Sequence, residues 1–193
     1  MKIYQITGGF PLGGKIRVQG SKNAALPMMA AAVLQEETVT LQNCPRISDV
    51  FCMERLLRAL GAKTEWEEDT LRISCGSIGS DLAGSGESGK LRSSILFLGS
   101  LLGRNGYAKV GLPGGCTIGR RPTDFHEMAL EALGAGITRT EQTITAYAGK
   151  LSGNHIRFPK VSVGATENAV LAAVCAKGTT TLCGCAREPE VQW

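Results

Sequence analysis

The sequence predicts an α/β fold assembled from repeated copies of one unit. Three helix-like segments rich in small apolar residues recur, at 23–34, 91–102 and 165–175. A short β-branched run follows each of them, as expected for a strand. Self-similarity of this kind indicates that each copy folds as the same supersecondary unit. We therefore expect three α/β units that share one closed core.

Each unit continues in the same order after its first strand. A turn that contains Cys, Pro and Arg comes next, at 43–50, 113–125 and 184–191. A second helix and two closing strands follow in the first two copies. The second helices end in matching triplets, Leu60-Gly61-Ala62 and Leu133-Gly134-Ala135, which lie 73 residues apart. With a further strand leading into each first helix, the order is strand–helix–strand–helix–strand–strand.

The repeat step sets the expected boundaries. The units cover about 22–85, 86–153 and 154–193, and a third Leu-Gly-Ala triplet would fall near position 206, so we expect the third unit to be truncated. Residues 1–21 precede the first unit, and within them residues 15–18 alternate like a strand. We expect this segment to belong with a second domain that the 193 residues do not contain.

The second helix of the middle unit carries signals for its start, its buried face and its end. Its apolar residues fall at i, i+3, i+4, i+7 and i+8, namely Phe125, Met128, Ala129, Ala132 and Leu133. Asp124 with Glu127 resembles a capping box at the start. Gly134 is placed to end the helix, because glycine readily adopts the left-handed conformation of a helix C-terminus.

The composition and charge of the chain indicate which kinds of molecule it binds. The apolar share is 43%, the charged share is 20%, and the net charge of +4 is spread without a run of Lys or Arg. A nucleic-acid groove would need a clustered basic face, so small anionic ligands fit this charge better. No apolar run approaches the roughly 18 residues of a membrane span. We expect neither a nucleic-acid nor a membrane partner.

The cysteines indicate a reducing compartment. Their number is seven, no CxxC is present, and the two histidines, His126 and His155, stand apart from them. This pattern supports neither a disulfide scaffold nor a zinc site. The first residues also lack the apolar core of a signal peptide. We therefore expect a cytoplasmic protein without a metal or another cofactor.

The turn at 113–125 contains the strongest candidates for catalytic and ligand-binding residues. Gly114 and Gly115 precede Cys116, and Arg120 and Arg121 follow it. A thiol beside arginines is held more readily as the reactive thiolate. The residues alone leave two alternatives open, a reactive loop or a glycine-rich surface turn with an inert cysteine.

Charged residues also stand at the other helix starts. Lys22 and Arg92 occupy matching places in units one and two, so symmetry predicts that the helix starts converge on one pocket. Helix N-termini bind anions through their unpaired N–H groups, although a capped helix with a solvated lysine is the alternative. Ser162 also has two interpretations, as part of an anion-binding helix start or as an ordinary helix cap. The stretch 84–91 is close to a P-loop, but Leu91 stands where magnesium needs Ser or Thr.

Four motifs carry a resemblance that spans the whole chain. They are 20–27 (GSKNAALP), 112–119 (LPGGCTIG) with Arg121-Pro122, 160–166 (KVSVGAT) and 187–190 (REPE). Together they resemble the UDP-N-acetylglucosamine 1-carboxyvinyltransferases of the EPSP synthase-like superfamily. The sister family that makes enolpyruvyl-shikimate phosphate lacks the cysteine loop.

The resemblance implies a fold and a function. The fold is an inside-out α/β barrel domain of repeated βαβαββ units, here the first of two domains, with the C-terminal domain missing. The reaction transfers the enolpyruvyl group of phosphoenolpyruvate to the 3′-hydroxyl of UDP-N-acetylglucosamine and releases phosphate, the first committed step of peptidoglycan synthesis. Because half of the enzyme is missing, we expect no turnover from this chain alone. The alternative is an isolated domain that only binds a nucleotide sugar.

The resemblance also implies residue roles. Cys116 matches the general acid, which fosfomycin alkylates in the family. The residues that match phosphoenolpyruvate ligands are Lys22, Asn23, Arg92 and Arg121. Those that match UDP-N-acetylglucosamine ligands are Arg92, Arg121, Pro122, Thr123, Asp124, Phe125, Lys160, Ser162, Val163 and Gly164.

Overall fold

A computed structural model describes residues 3–112 and 122–192, which form helices and strands in alternation. The helices are α1 Lys22–Ala31, α2 Ser48–Ala59, α3 Leu96–Asn105, α4 Asp124–Ala132, α5 Val163–Ala173 and α6 Pro189–Gln192. Two 3₁₀ turns are Ala32–Leu34 and Arg92–Ile95. The strands are β1 Thr38–Leu41, β2 Lys63–Glu67, β3 Thr70–Ser74, β4 Tyr107–Gly111, β5 Gly136–Arg139, β6 Thr143–Tyr147, β7 His155–Arg157 and β8 Thr181–Cys183.

The first two units have the same sheet topology. One sheet has the strand order β1–β3–β2 and the other has the order β4–β6–β5, with antiparallel neighbours in both. In each, the central strand turns its apolar residues to the core, with Ile73 and Ile144 fully buried. In the third unit, β7 and β8 flank α5 and pair in parallel, as strands joined through a crossover helix do. The predicted repeat is thus present in the backbone.

The small-residue segments form helices that approach one another closely. At Gly99 in α3, an added Cβ would overlap the side-chain and main-chain oxygens of Asn168 in α5. One turn later, a Cβ at Gly103 would lie 3.3 Å from the Cys175 side chain. Every residue of α3 from Leu96 to Leu102 is buried. Glycine and alanine recur in these segments because the backbones leave no room for larger residues.

The predicted glycine stops are confirmed. Gly61 follows α2 with φ 102° and Gly134 follows α4 with φ 97°. After α2, the N–H of Gly61 donates to the Arg58 carbonyl and that of Ala62 donates to the Leu57 carbonyl. The same pair of bonds ends α4, so both helices close in a Schellman motif.

The start of α4 differs from the predicted capping box. Thr123, not Asp124, is the N-cap residue, and no side chain caps the helix. The Thr123 hydroxyl instead donates to the Glu127 carboxylate at 2.6 Å, and Arg139 donates to both side chains at 2.9 Å. Glu127 therefore reaches back to the side chain of the N-cap residue and to Arg139 on β5, and it bonds no backbone N–H at the helix start.

The N-terminal segment forms no strand with the rest of the described chain, and its place in a second domain stays a prediction. Residues 15–18 form no strand in the described part of the chain, and their apolar side chains Ile16 and Val18 are exposed. A strand needs a neighbour to take its backbone hydrogen bonds, and none of the described strands pairs with this segment.

We predict that Gly99→Ala destabilises the fold, although alanine favours helices over glycine by about 1 kcal/mol at an open position. The methyl group would force α3 away from α5, which typically costs about 1–3 kcal/mol. Urea unfolding followed by circular dichroism measures the change. Gly149→Ala is the matched control, because nothing lies within 4 Å of its added Cβ. Equal stability of the two variants would contradict the close-approach explanation.

Candidate functional site

Three helix starts meet at one cleft of about 360 Å³. The starts of α1, of the 3₁₀ turn that leads into α3, and of α5 form its walls, together with α4 and the chain around the start of α6. Its lining residues are Asn23, Leu26, Pro27, Arg92, Ser93, Ile95, Leu96, His126, Val163, Gly164, Glu167, Glu188 and Glu190. The convergence that the repeat symmetry predicts is therefore observed.

Two of the three starts are capped in the same way. The hydroxyl of Ser21 accepts from the N–H of Ala24 at the start of α1, at 3.4 Å. The hydroxyl of Ser162 accepts from the N–H of Ala165 at the start of α5, also at 3.4 Å. Each hydroxyl satisfies only one of the first-turn amides, and the helix dipole is positive at that end. Aimed at one cleft, these helix ends favour an anion there.

Cationic side chains add to this field. Arg92 lines the cleft from the start of the 3₁₀ turn. Lys22 stands one residue before Asn23, and its Nζ lies 3.0 Å from an Asp49 carboxylate oxygen. Both members of that ion pair are partly exposed, and such pairs contribute about 1 kcal/mol or less. The ammonium group is thus paired with α2, Lys22 is not among the residues that line the cleft, and its contact with a bound anion stays a prediction from the resemblance.

His126 reaches the cleft from the buried face of α4. Its Nδ1 lies 3.1 Å from Nδ2 of Asn168, and Oδ1 of Asn168 accepts from the backbone N–H of Gly99 at 2.7 Å. Burial, and then the positive charge of Arg92, lower the pKa of His126 to about 4. The imidazole is thus uncharged at neutral pH. Sequence reasoning gave this residue no role at the cleft.

Three carboxyl groups also line the cleft, namely those of Glu167, Glu188 and Glu190. Burial, and then the negative charges of Glu190 and Glu188, raise the pKa of Glu167 to about 7. Oε2 of Glu188 is buried with no hydrogen-bond partner among the described residues. The cleft therefore contains acidic as well as cationic groups. Sequence reasoning missed all three residues, although Glu188 and Glu190 lie in the third copy of the turn that carries Cys116 in the second.

The sequence profile of the EPSP synthase (3-phosphoshikimate 1-carboxyvinyltransferase) family matches residues 6–193. The chain belongs to the EPSP synthase family. Among its relatives is the UDP-N-acetylglucosamine 1-carboxyvinyltransferase of Dinoroseobacter shibae, which is 50% identical over 189 residues, 96% of this chain and 45% of the relative. The enzyme of that name from Chlorobium chlorochromatii is 49% identical over 195 residues, 100% of this chain and 46% of the relative. The chain thus spans about half the length of the curated relatives it matches.

Solved structures share this fold. The enolpyruvyl transferase NikO from Streptomyces tendae superposes with a TM-score of 0.81 at 23% identity, covering 96% of this chain and 44% of NikO. EPSP synthase from Acinetobacter baumannii superposes with a TM-score of 0.70 at 19% identity, covering 93% of this chain and 42% of that protein. The predicted EPSP synthase-like α/β fold is confirmed.

Four of the predicted site residues of this family member line the cleft, namely Asn23, Arg92, Val163 and Gly164. The other predicted site residues in the described part of the chain do not line the cleft. Lys22, Lys160 and Ser162 are close in sequence to residues that do, and Pro122, Thr123, Asp124 and Phe125 lie at the start of α4. Thr123 is buried, whereas Pro122 and Lys160 are exposed. Cys116 and Arg121 lie outside the described residues.

The six described cysteines are unpaired. Cys44, Cys52 and Cys75 are buried, and burial raises the pKa of Cys44 to about 11. The apolar segments around all six predict packing thiols, which holds for these three, whereas Cys175 is exposed and Cys183 and Cys185 are partly exposed. Residues 3–112 and 122–192 contain no cluster of three metal-binding side chains, and no helix among them is long and apolar enough to cross a membrane.

We predict that Glu167→Gln stabilises the chain more at pH 8 than at pH 5. A folded-state pKa of about 7, above the ordinary value of 4.5, means that the native state binds the proton more tightly than the unfolded chain does. The carboxyl group therefore lowers stability as pH rises from about 5 through 7, and glutamine has no such proton. Thermal unfolding midpoints across this range measure the difference.

The control for this prediction is Glu65→Gln, at an exposed position of strand β2. Its midpoint should track that of the wild type at every pH. A constant gap between Glu167→Gln and wild type would show that Glu167 does not titrate in this range.

Proposed function

We propose that this chain is the first half of an enzyme that transfers the enolpyruvyl group of phosphoenolpyruvate to the 3′-hydroxyl of UDP-N-acetylglucosamine. The observation that carries the proposal is the meeting of Asn23, Arg92, Val163 and Gly164 at three convergent helix starts. Relatives at 49–50% identity bear the name of this activity. Both substrates are multiple anions, which suits a cleft with positive helix ends on one side.

The reaction assigns a task to each side of the site. The sugar hydroxyl adds to the enol carbon of phosphoenolpyruvate and Cys116 protonates the methylene carbon. The tetrahedral intermediate then loses phosphate together with a proton of the new methyl group, which restores the carbon–carbon double bond. Lys22, Asn23, Arg92 and Arg121 hold the phosphate and carboxylate of phosphoenolpyruvate. The residue that takes the hydroxyl proton lies in the second domain.

The nucleotide sugar occupies the neighbouring wall. Its diphosphate lies at the start of α5, against the backbone of Val163 and Gly164, with Ser162 and Lys160 beside it. Its uridine contacts the segment from Arg121 to Phe125, which leads into α4. Positive helix ends and uncharged backbone donors serve a diphosphate well because both act without reorganisation.

The setting proposed for this activity is the bacterial cytoplasm, where the product feeds cell-wall synthesis and so cell division. The unpaired thiols of the six described cysteines support a reducing compartment. Fosfomycin would alkylate Cys116.

We predict that UDP-N-acetylglucosamine slows alkylation of Cys116 by iodoacetamide. At a ligand concentration ten times the dissociation constant, the rate should fall about tenfold, as the free fraction does. Mass spectrometry of the peptide that contains Cys116 measures the rate without interference from the other six thiols.

Two variants sharpen this test. Arg92→Met removes a cation of the cleft and should abolish most of the protection at the same ligand concentration. Arg157→Met removes an exposed cation on β7 and should leave protection intact. Equal alkylation rates with and without the nucleotide sugar would contradict the proposed function.

A further inference from the structure

The histidine of the cleft belongs to a hydrogen-bonded chain with a fixed direction. The backbone N–H of Gly99 can only donate, so the atom of Asn168 that it meets at 2.7 Å is the amide oxygen. The other end of the same amide is then NH₂, which can only donate. This group lies 3.1 Å from Nδ1 of His126, so Nδ1 accepts and carries no proton. The ring proton must sit on Nε2.

We propose that Asn168 holds His126 as the neutral Nε2–H tautomer, and that this N–H donates to the anion bound at the start of α5. The second half of the proposal rests on the proposed function, which supplies the anion. Asn168 acts through the histidine and is a positioning residue.

The position of the ring agrees with this assignment. A Cβ added at Gly164 would lie 3.4 Å from Cε1 of His126 and 3.6 Å from its Nε2. The Cε1–Nε2 edge therefore faces the first turn of α5, where the Ser162 hydroxyl caps only the amide of Ala165. His126 also lines the cleft, so its donor and the donors of α5 serve the same space.

The surroundings keep the ring neutral. A second proton on Nδ1 would place two donors face to face, and Asn168 cannot turn its amide without losing the bond from Gly99. The charged groups around the ring are Arg92 from the 3₁₀ turn, Asp124 on α4 and Glu167 on the cleft wall of α5. Burial and Arg92 prevail over Asp124, and the pKa of His126 is lowered to about 4.

A neutral donor has a specific use in this cleft. It adds a hydrogen bond to the ligand while the positive charge stays with the arginine and the helix ends. Its protonation does not change across the physiological range, in which an ordinary histidine titrates. Binding of the anion should therefore be insensitive to this group between pH 6 and 8.

The tautomer is measured directly by long-range ¹H–¹⁵N correlation spectra of the whole chain with labelled histidine. The chain has two histidines, so His155→Gln assigns both sets of signals. We expect His126 to show a protonated Nε2 and a bare Nδ1, unchanged from pH 6 to 8. A proton on Nδ1, or titration within this range, would overturn the proposal.

Asn168→Asp tests the cause of the tautomer. This substitution keeps the shape of the side chain but replaces the NH₂ donor with an oxygen acceptor. The proton should then move to Nδ1, and His126 should begin to titrate between pH 6 and 8. Asn105→Asp, at an amide that donates to Ser80 away from the cleft, should leave the spectrum unchanged. If Asn168→Asp folds and the His126 signals stay as in wild type, Asn168 does not set the tautomer; if it fails to fold, the wild-type spectrum still decides.

UDP-N-acetylglucosamine is the probe for the second half of the proposal. Its addition should shift the Nε2–H proton resonance of His126, and His126→Gln should weaken binding roughly tenfold by calorimetry, the usual value of a hydrogen bond to a charged group. Binding without a change in this resonance would overturn the histidine contact and leave the proposed function standing. No binding at all would overturn the proposed function together with the contact, while the tautomer would remain as measured without ligand.

Discussion

The contact between Gly99 in α3 and Asn168 in α5 is the point on which both the core and the cleft depend. The missing side chain at Gly99 lets the two helices approach until the backbone N–H reaches the Asn168 amide. The same amide then orients His126 on α4. One close approach thus joins three helices and fixes a donor at the cleft wall. A fully buried amide whose oxygen and nitrogen are both bonded also satisfies the rule that interior polar groups be paired.

Repetition of the unit explains why a binding cleft forms at this place. Each inner helix begins at the same level of its unit, so packing α1, α3 and α5 side by side gathers three helix starts. Their dipoles reinforce one another where the first-turn amides have no partner. The units then diverge in the turns that follow the first strands, which supply Cys116 in one copy and Glu188 with Glu190 in another. A symmetric scaffold therefore carries an asymmetric site, with cationic and acidic groups in one cleft.

Sequence reasoning captured what is local or repeated. The helices, the sheet strands and the glycine stops at Gly61 and Gly134 follow from propensity and patterning, and the convergence of the helix starts follows from symmetry. His126 and Glu167 were missed because their spacing along the chain gives no sign that α4 packs against α5. The capping box at Asp124 was wrong because Thr123 is the N-cap, and Glu127 bonds its hydroxyl and the sequence-distant Arg139 rather than a backbone N–H. The roles of Cys116 and Arg121 stay predictions from resemblance.

The central claim is that the three convergent helix starts form the anion site for a nucleotide sugar. Backbone amide spectra recorded while UDP-N-acetylglucosamine is added to the chain test it most directly. The largest shifts are expected at residues 22–24, 92–94 and 163–165. Shifts centred instead on the second large cleft, between Gly103 in α3 and Gly149, or no shifts at saturating ligand, would contradict it.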